Sequence, residues 1–248
     1  MPTLSIITIT KDDPVGLVRT LKSTELLRQQ GVEHIVVDGS SVRSQGTFPP
    51  GVRWVRREPA GIADAFNHGL SLVTSEWTWF LNGGDAAHES LDPGWLLMLL
   101  KQTRADLVVG GVQYDGDETW RPQPGVGRQW PVLECWLPHP ATLVRTHALR
   151  AVGGFSSDFR VAMDFELWQR LIESRTVIDV VAVPFARFDL RGISQSEHGR
   201  RIAAHEESGI LLRQSGRLLG GGLRRLGATS LRLARALYVR VFRSGKSA

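Results

Sequence analysis

Residues 57–85 read REPAGIADAFNHGLSLVTSEWTWFLNGGD, and their reading decides the fold. A Gly-containing turn leads into Gly61–Val73, where Ile62, Phe66, Leu70 and Val73 recur at helical spacing. The Trp-rich run Trp77–Leu81 follows as a buried strand, and it stops at Asn82-Gly83-Gly84-Asp85. A carboxylate just past a buried strand, on a glycine turn, is a common way for an α/β protein to offer oxygen ligands to a cation.

Working outward, the pattern of strand and helix repeats. Leu4–Thr10 is a β-branched run that predicts a first buried strand. Asp12-Asp13-Pro14 opens a helix with Leu17, Leu21 and Leu27 at helical spacing. Val32–Val37 predicts a second strand, ending at Asp38-Gly39-Ser40-Ser41, and Val52–Val55 a third. Leu91–Lys101 predicts a helix and Ala105–Val112 a fifth strand. Strands and helices alternating at these intervals indicate βαβ units in a mostly parallel, doubly wound α/β sheet. Between Tyr114 and Pro140 periodicity is lost among prolines and tryptophans, the composition of an excursion over an active-site face. Regularity returns with Leu143–Val152, a turn at Gly153-Gly154-Phe155, a helix around Phe165–Glu173 and a strand at Val177–Val183.

The totals exclude several classes. At 248 residues and 42% hydrophobic content the chain can build one large α/β domain with an appendage, or two small domains. A single cysteine, Cys135, excludes an internal disulfide framework and a Cys-based zinc cluster, and fits a reducing cytosolic compartment. MPTLSIITIT has no basic n-region and does not read as a signal peptide, and no window approaches the ~18 uninterrupted apolar residues of a transmembrane helix. The charge is concentrated: residues 208–248 hold nine Arg or Lys and no acid, so removing nine from the formal +5 leaves about −4 on residues 1–207. We therefore divide the chain into a domain at 1–207 and a tail at 208–248.

Three acids fall where ligands bind in open α/β sheets, outside the carboxyl ends of the strands. Asp38 ends the second strand, Asp64 lies in the first turn of a helix, and Asp85 follows the fourth strand. Converging there, they would repel one another unless a cation or ligand donors engage them; singly, Asp38 and Asp64 also suit turns and helix starts.

TITK, VVDGSS, REPAGIADAFNHG, WTWFLNGGD, HPATLVR, GGFSSDFRVAMDFELWQRL and FDLRGISQSEHGRR occur in the order seen in family-2 glycosyltransferases of the GT-A fold, which the chain resembles over about residues 3–205. It is most similar to the branch that builds bacterial surface polysaccharides such as colanic acid. The resemblance implies that Thr8, Thr10 and Asp38 line the base and ribose pocket of a nucleoside-diphosphate sugar. It places Arg57, Asp64 and Asn67 against the nucleotide and its diphosphate. Asn82 and Asp85 match the DxD-type element, whose last carboxylate binds Mg²⁺ or Mn²⁺, and Asp164 matches the general base, with Trp168 on the acceptor side. Two departures stand out: Val42-Arg43-Ser44-Gln45 replaces a Thr-Asp-Gly-Thr turn, and Asn82 replaces the first Asp of DxD.

The chemistry asks for such parts independently. A diphosphate leaving group accumulates negative charge that a divalent cation stabilises. A sugar hydroxyl is a poor nucleophile, and a carboxylate within reach can take its proton, worth ~10²–10⁴-fold in rate. One base and no enzyme nucleophile imply single displacement with inversion. Asp164 follows the apolar Val161–Met163 and opens a helix; Glu166, two residues on, is expected to face away and is the fallback base. A helix-start carboxylate complementing the macrodipole is the bland alternative for Asp164. His139 and His88 are candidates to border the site, and His198 and His205 to add a late metal ligand, although a lone histidine more often packs or lies on the surface. Cys135, among Trp130, Trp136 and Leu137, reads as a small core hydrophobe.

In the tail, Arg224, Arg225, Arg232, Arg235, Arg240 and Arg243 gather on one helical face, with Leu223, Leu226, Leu233, Leu237 and Val241 opposite. A basic amphipathic helix suits an anionic membrane surface; the alternative is a helix that docks on the domain. The expectation is an inverting transferase that moves a sugar from a nucleoside-diphosphate sugar, UDP-linked, to a saccharide or polyprenyl-linked acceptor. It would work in the cytoplasm at the inner face of the plasma membrane and without nucleic acid. The competing readings are a nucleotide-sugar-binding module without turnover and a nucleotidyltransferase, the latter disfavoured because TITKDDP lacks a Gly/Arg/Lys-rich triphosphate loop.

Overall fold

The structure, a computed structural model, describes residues 2–41, 48–117, 119–121 and 137–213. The expectations for Val42–Gln45, Trp130, Cys135, Trp136 and the tail beyond residue 213 lie outside the described residues.

Strand β1 (Leu4–Thr10) lies between β2 (Glu33–Asp38) and β4 (Trp77–Asn82), and β3 (Val52–Arg56) flanks β2, all four running parallel. Side chains that alternate along β1 feed two cores. Ile7 packs with Phe66 and Leu70 of α3 (Ile62–Leu72), while Leu4 and Ile6 pack with Leu96 and Leu100 of α4 (Pro93–Gln102). A strand buried on both faces reads as continuous hydrophobicity, which is why LSIITIT carries no polar alternation. Gly69 lets α3 approach β1, since a Cβ there would stand 2.5 Å from Ile7 Cγ2. Helix α1 (Pro14–Ser23) begins as its sequence directs, with Asp13 accepting from Gly16 N at 2.9 Å and proline in the first turn. Helix α2 (Glu25–Gln29) continues it toward β2.

The tryptophans of WTWF are buried without loss of their polar handles. Trp77 Nε1 donates to the Leu100 carbonyl at 3.0 Å and Trp79 Nε1 to the Pro140 carbonyl at 2.8 Å. Beyond β4 the sheet departs from uniform parallel order. The short β8 (Thr142–Arg145) enters antiparallel between β4 and β6 (Leu107–Tyr114), and β9 (Ile178–Phe188) then pairs parallel to β6. β5 (Ala86–Ala87) pairs antiparallel with β9 and β7 (Trp120–Arg121) with β6, giving nine strands among the described residues in the order β3-β2-β1-β4-β8-β6-β9-β5, with β7 off that path. Helices α5 (Thr146–Ala151) and α6 (Met163–Glu173) cover one face, and residues 197–213 form the helix α7. β9 runs five residues past the expected Val183, because a register shift at Gly111 and Pro184 accommodates the proline within the ladder. No helix among the described residues is long and apolar enough to cross a membrane.

Candidate active site

The carboxyl ends of the parallel strands lie side by side. Thr10 on β1 is in register with Asp38 on β2, Ile9 with Asn82 on β4, and Asp38 with Arg56 on β3. A cleft of about 760 Å³ opens over these ends. Among the residues expected from sequence, Thr10, Arg57, Asn82, Asp85 and Asp164 border it. The cleft thus brings together positions as distant as Thr10 and Asp164 on one face of the sheet.

The other expected residues sit beside the cleft rather than in its wall. Thr8 is fully buried, with its hydroxyl 2.8 Å from His34 Nε2, whose Nδ1 lies 3.0 Å from the Thr24 hydroxyl. Asp38 is fully buried between the cleft residues Val37 and Gly39; its carboxylate accepts from Ser40 N at 2.8 Å and from Trp54 Nε1 at 3.2 Å. Asp64 receives both arms of Arg57, Nε at 2.6 Å and Nη2 at 2.8 Å, and that guanidinium holds its carboxyl below the usual range. Asn67 spends its amide on the backbone of Phe155, donating to its carbonyl and accepting from its N–H, each at 2.8 Å.

Asp85 is buried, and its carboxylate is enclosed by two main-chain N–H groups and one side-chain amide. Oδ1 accepts from Asp189 N at 2.9 Å, while Oδ2 accepts from Asn82 N at 3.3 Å and Asn82 Nδ2 at 3.2 Å. Burial outweighs these donors and pushes the carboxyl up to about 7. Asp189, which closes the other side, behaves oppositely: the Arg191 guanidinium grips it and holds its carboxyl below the usual range. Gly84 makes this contact possible, since its φ of 106° is open to glycine and a Cβ there would run into the Asp189 carboxylate.

Asp164 stands in the first turn of α6, where burial first, and then the Glu207 carboxylate, raise its carboxyl to about 6. The turn that presents it is fixed from α7. Glu206 accepts from the backbone N–H groups of Arg160, Val161 and Ala162 at 2.8, 3.0 and 2.8 Å, so a distant carboxylate supplies the cap that Ala162 lacks. His139 also borders the cleft, with both ring nitrogens buried and unpartnered among the described residues, and burial depresses its ring to about 4. His88 is engaged by Gln113 at 2.8 Å, and His198 and His205 are exposed on α7.

Sequence reasoning missed Asp189, Arg191 and Glu206. Asp189 obeyed the same rule that exposed Asp85, a carboxylate just past a strand end, but the strand was expected to stop at Val183. Glu206 carries no local signal, because its partners lie more than forty residues away.

Comparison with known proteins fixes the family. A model described as "Glycosyl transferase family 2" matches residues 5–171. The chain belongs to glycosyl transferase family 2. Two curated Mycobacterium tuberculosis proteins, "Uncharacterized glycosyltransferase Rv1514c" of strain H37Rv and "Uncharacterized glycosyltransferase MT1564" of strain CDC 1551, are each 30% identical over 209 residues, 77% of this chain and 77% of theirs. Among solved structures, S. aureus TarS 1-349 in complex with UDP is similar with a TM-score of 0.63 and 15% identity, over 90% of this chain and 73% of that one. The same protein in complex with UDP-GlcNAc gives 0.62 and 15% over 93% and 79%. Against the longer TarS chain, the glycosyltransferase spans 43% of its length. These neighbours assign the GT-A fold, and the family makes the chain a transferase.

Family 2 enzymes of this fold commonly use a divalent cation. Among the described residues no group of three or more His, Cys, Asp or Glu is placed to hold one. Mg²⁺, however, is usually bound through one or two carboxylates together with substrate phosphates and water. Asp85, whose burial disfavours an uncompensated negative charge, and Asp189, packed on the same turn, fit that requirement.

Proposed function

We propose that this glycosyltransferase moves a sugar from a UDP-sugar to a hydroxyl of a saccharide or lipid-linked saccharide, with inversion at the anomeric carbon. The observation that carries the reading is the sharing of one cleft by Asp85 and Asp164, which approach it from elements 79 residues apart in the chain. Asp164 accepts the proton of the incoming hydroxyl as the new glycosidic bond forms. The bond to the diphosphate breaks on the opposite face of the anomeric carbon, and UDP leaves with the electron pair. A raised carboxyl suits this role, since a base is most effective near the working pH. Asp85 and Asp189 would hold Mg²⁺ or Mn²⁺ against the diphosphate, where the ion would offset the charge of the leaving group. Thr10 and Arg57, with Gly39 and Pro59, border the part of the cleft over β1 to β3, and this part we assign to the nucleoside; Asp38 stiffens its floor.

The domain at 1–207 would carry this chemistry, and the basic tail at 208–248 would bring it to an anionic membrane surface, where lipid-linked acceptors reside. The supporting feature is composition: nine cationic residues with no acid, interleaved with leucines.

The test is UDP release from a panel of UDP-sugars with saccharide and polyprenyl-linked acceptors, with and without Mn²⁺, for the native chain and Asp164→Asn. Turnover by the native chain and its loss in the variant is expected. Full retention by Asp164→Asn removes Asp164 as the base, and tight UDP binding with no turnover on any acceptor favours a binding module. Flotation with anionic vesicles checks the tail: a chain truncated after Arg213, which keeps α7 and its core residues Ile210 and Leu211, should stay in the soluble fraction.

A further inference from the structure

We propose that Arg191 is a diphosphate-binding residue whose fixed guanidinium supplies positive charge to the leaving group beside Asp85. This inference rests on the UDP-sugar reading above and names a contact that the reading does not require. Arg191 borders the cleft, and its side chain is 64% exposed, so it is open to a ligand. Its direction is nevertheless set: Nε lies 3.0 Å from each oxygen of Asp189, and Nη2 lies 2.7 Å from Oδ2. The Asp189 carboxylate also accepts from Arg191 N at 2.9 Å, so residues 189–191 form a closed loop. The main-chain N–H of Asp189 in turn donates to Asp85 Oδ1. One continuous set of hydrogen bonds therefore runs from Asp85 through Asp189 to the guanidinium.

The free chemistry of that guanidinium selects the ligand. Asp189 engages Nε and Nη2, whereas Nη1, which carries two further N–H groups, makes no hydrogen bond within the described residues. Two N–H donors on a positive, planar group match the non-bridging oxygens of a phosphoanhydride and find no equal in a neutral sugar ring. A charge is also needed here. Asn82 borders the cleft without a negative charge of its own, and Asp189 is ion-paired with Arg191. Fewer carboxylate charges mean a weaker hold on a divalent ion, and a fixed guanidinium compensates the same phosphate oxygens without one. Both groups can act together.

Calorimetric titration of UDP and of uridine tests this, each in EDTA and in Mn²⁺, for the native chain, Arg191→Ala and Arg191→Lys. In EDTA, Arg191→Ala should bind UDP about 10- to 100-fold more weakly, as expected for loss of charge-assisted hydrogen bonds. Uridine affinity should stay within about twofold, because uridine has no diphosphate. Arg191→Lys should recover part of the loss, keeping the charge without the planar fork. Mn²⁺ should shrink the deficit of Arg191→Ala, since the ion offers the same phosphate oxygens positive charge by a second route. Equal weakening of UDP and uridine overturns the inference and makes Arg191 a general prop of the loop; so does UDP affinity in EDTA that is unchanged by Arg191→Ala. A native chain that binds neither ligand defeats instead the nucleotide-sugar reading on which the inference stands. Thermal melts of the three proteins in parallel report separately what Arg191→Ala costs by leaving the buried Asp189 carboxylate without its partner.

Discussion

Glu206 accepts a hydrogen bond of 2.8 Å from the backbone N–H of Ala162, two residues before Asp164. Its carboxylate takes two more from Arg160 and Val161, so one side chain on α7 closes the turn that presents the proposed base. Hydrogen bonds to a charged acceptor are stronger than neutral ones, and three converge here. We predict that Glu206→Ala destabilises the domain by about 1–3 kcal/mol. Urea unfolding monitored by tryptophan fluorescence reads this directly. UDP affinity should be spared, because the nucleoside end of the cleft is built by other strands, while turnover should fall. A variant as stable as the native chain would show the cap to be dispensable.

Asp164 should give the free protein a specific pH dependence. Its carboxyl sits near about 6 in the folded chain, above the ~3.9 of an unfolded aspartate. Between those values the native state holds a proton that the unfolded state has lost. The stabilisation from this group is therefore complete below pH ~4 and is lost as pH rises through about 6. Asp164→Asn removes the titration. Relative to the native chain, the variant should gain on the order of 1–3 kcal/mol between acid and pH 8, measured without nucleotide. A pH-independent difference would contradict the burial of this carboxyl.

The same substitution should act oppositely on catalysis. Because the base must be ionised, native turnover should climb as pH passes about 6 and level off above it. Asp164→Asn should lose ~10²–10⁴-fold in kcat and show no such rise. Initial rates of UDP release between pH 5 and 9 check both statements.

Asn67 offers a discriminating case, since its amide is occupied by the Phe155 backbone in both directions. Asn67→Ala leaves that N–H and carbonyl unpaired and should cost about 1–3 kcal/mol. If Asn67 instead contacts nucleotide, UDP affinity will fall while the melting temperature holds.

Gly84→Ala joins two penalties, a side chain at a φ of 106° and a collision with Asp189. It should destabilise by about 1–3 kcal/mol and should weaken UDP binding more than uridine binding. Equal loss of both ligands would separate the turn from the diphosphate.

The first half of the chain was legible because each signal there is local. The β-branched run at Leu4–Thr10, the Asp-Pro caps and the helical recurrence of Ile62, Phe66 and Leu70 need no distant partner to be interpreted, and the strand and helix bounds follow to within about two residues. The antiparallel insertion of β8 was not legible, since four residues of TLVR state no direction. Pro184 hid the second half of β9: proline in a strand argues for an end, and only the register shift against β6 shows that the ladder continues. For the site, residue type located Asp85 and Asp164 through chemistry and resemblance. What a side chain pairs with was hidden, as Arg57 with Asp64, Asn67 with Phe155 and Glu206 with Ala162 each depend on how helices dock.

The backbone of Asp189 and the side chain of Glu206 belong to the last stretch of the described chain, yet they grip Asp85 and the turn before Asp164. A fragment ending at Glu173 would keep every strand from β1 to β8 and both proposed acids, but neither acid would have its support. The order of synthesis therefore delivers both acids before the residues that hold them in place.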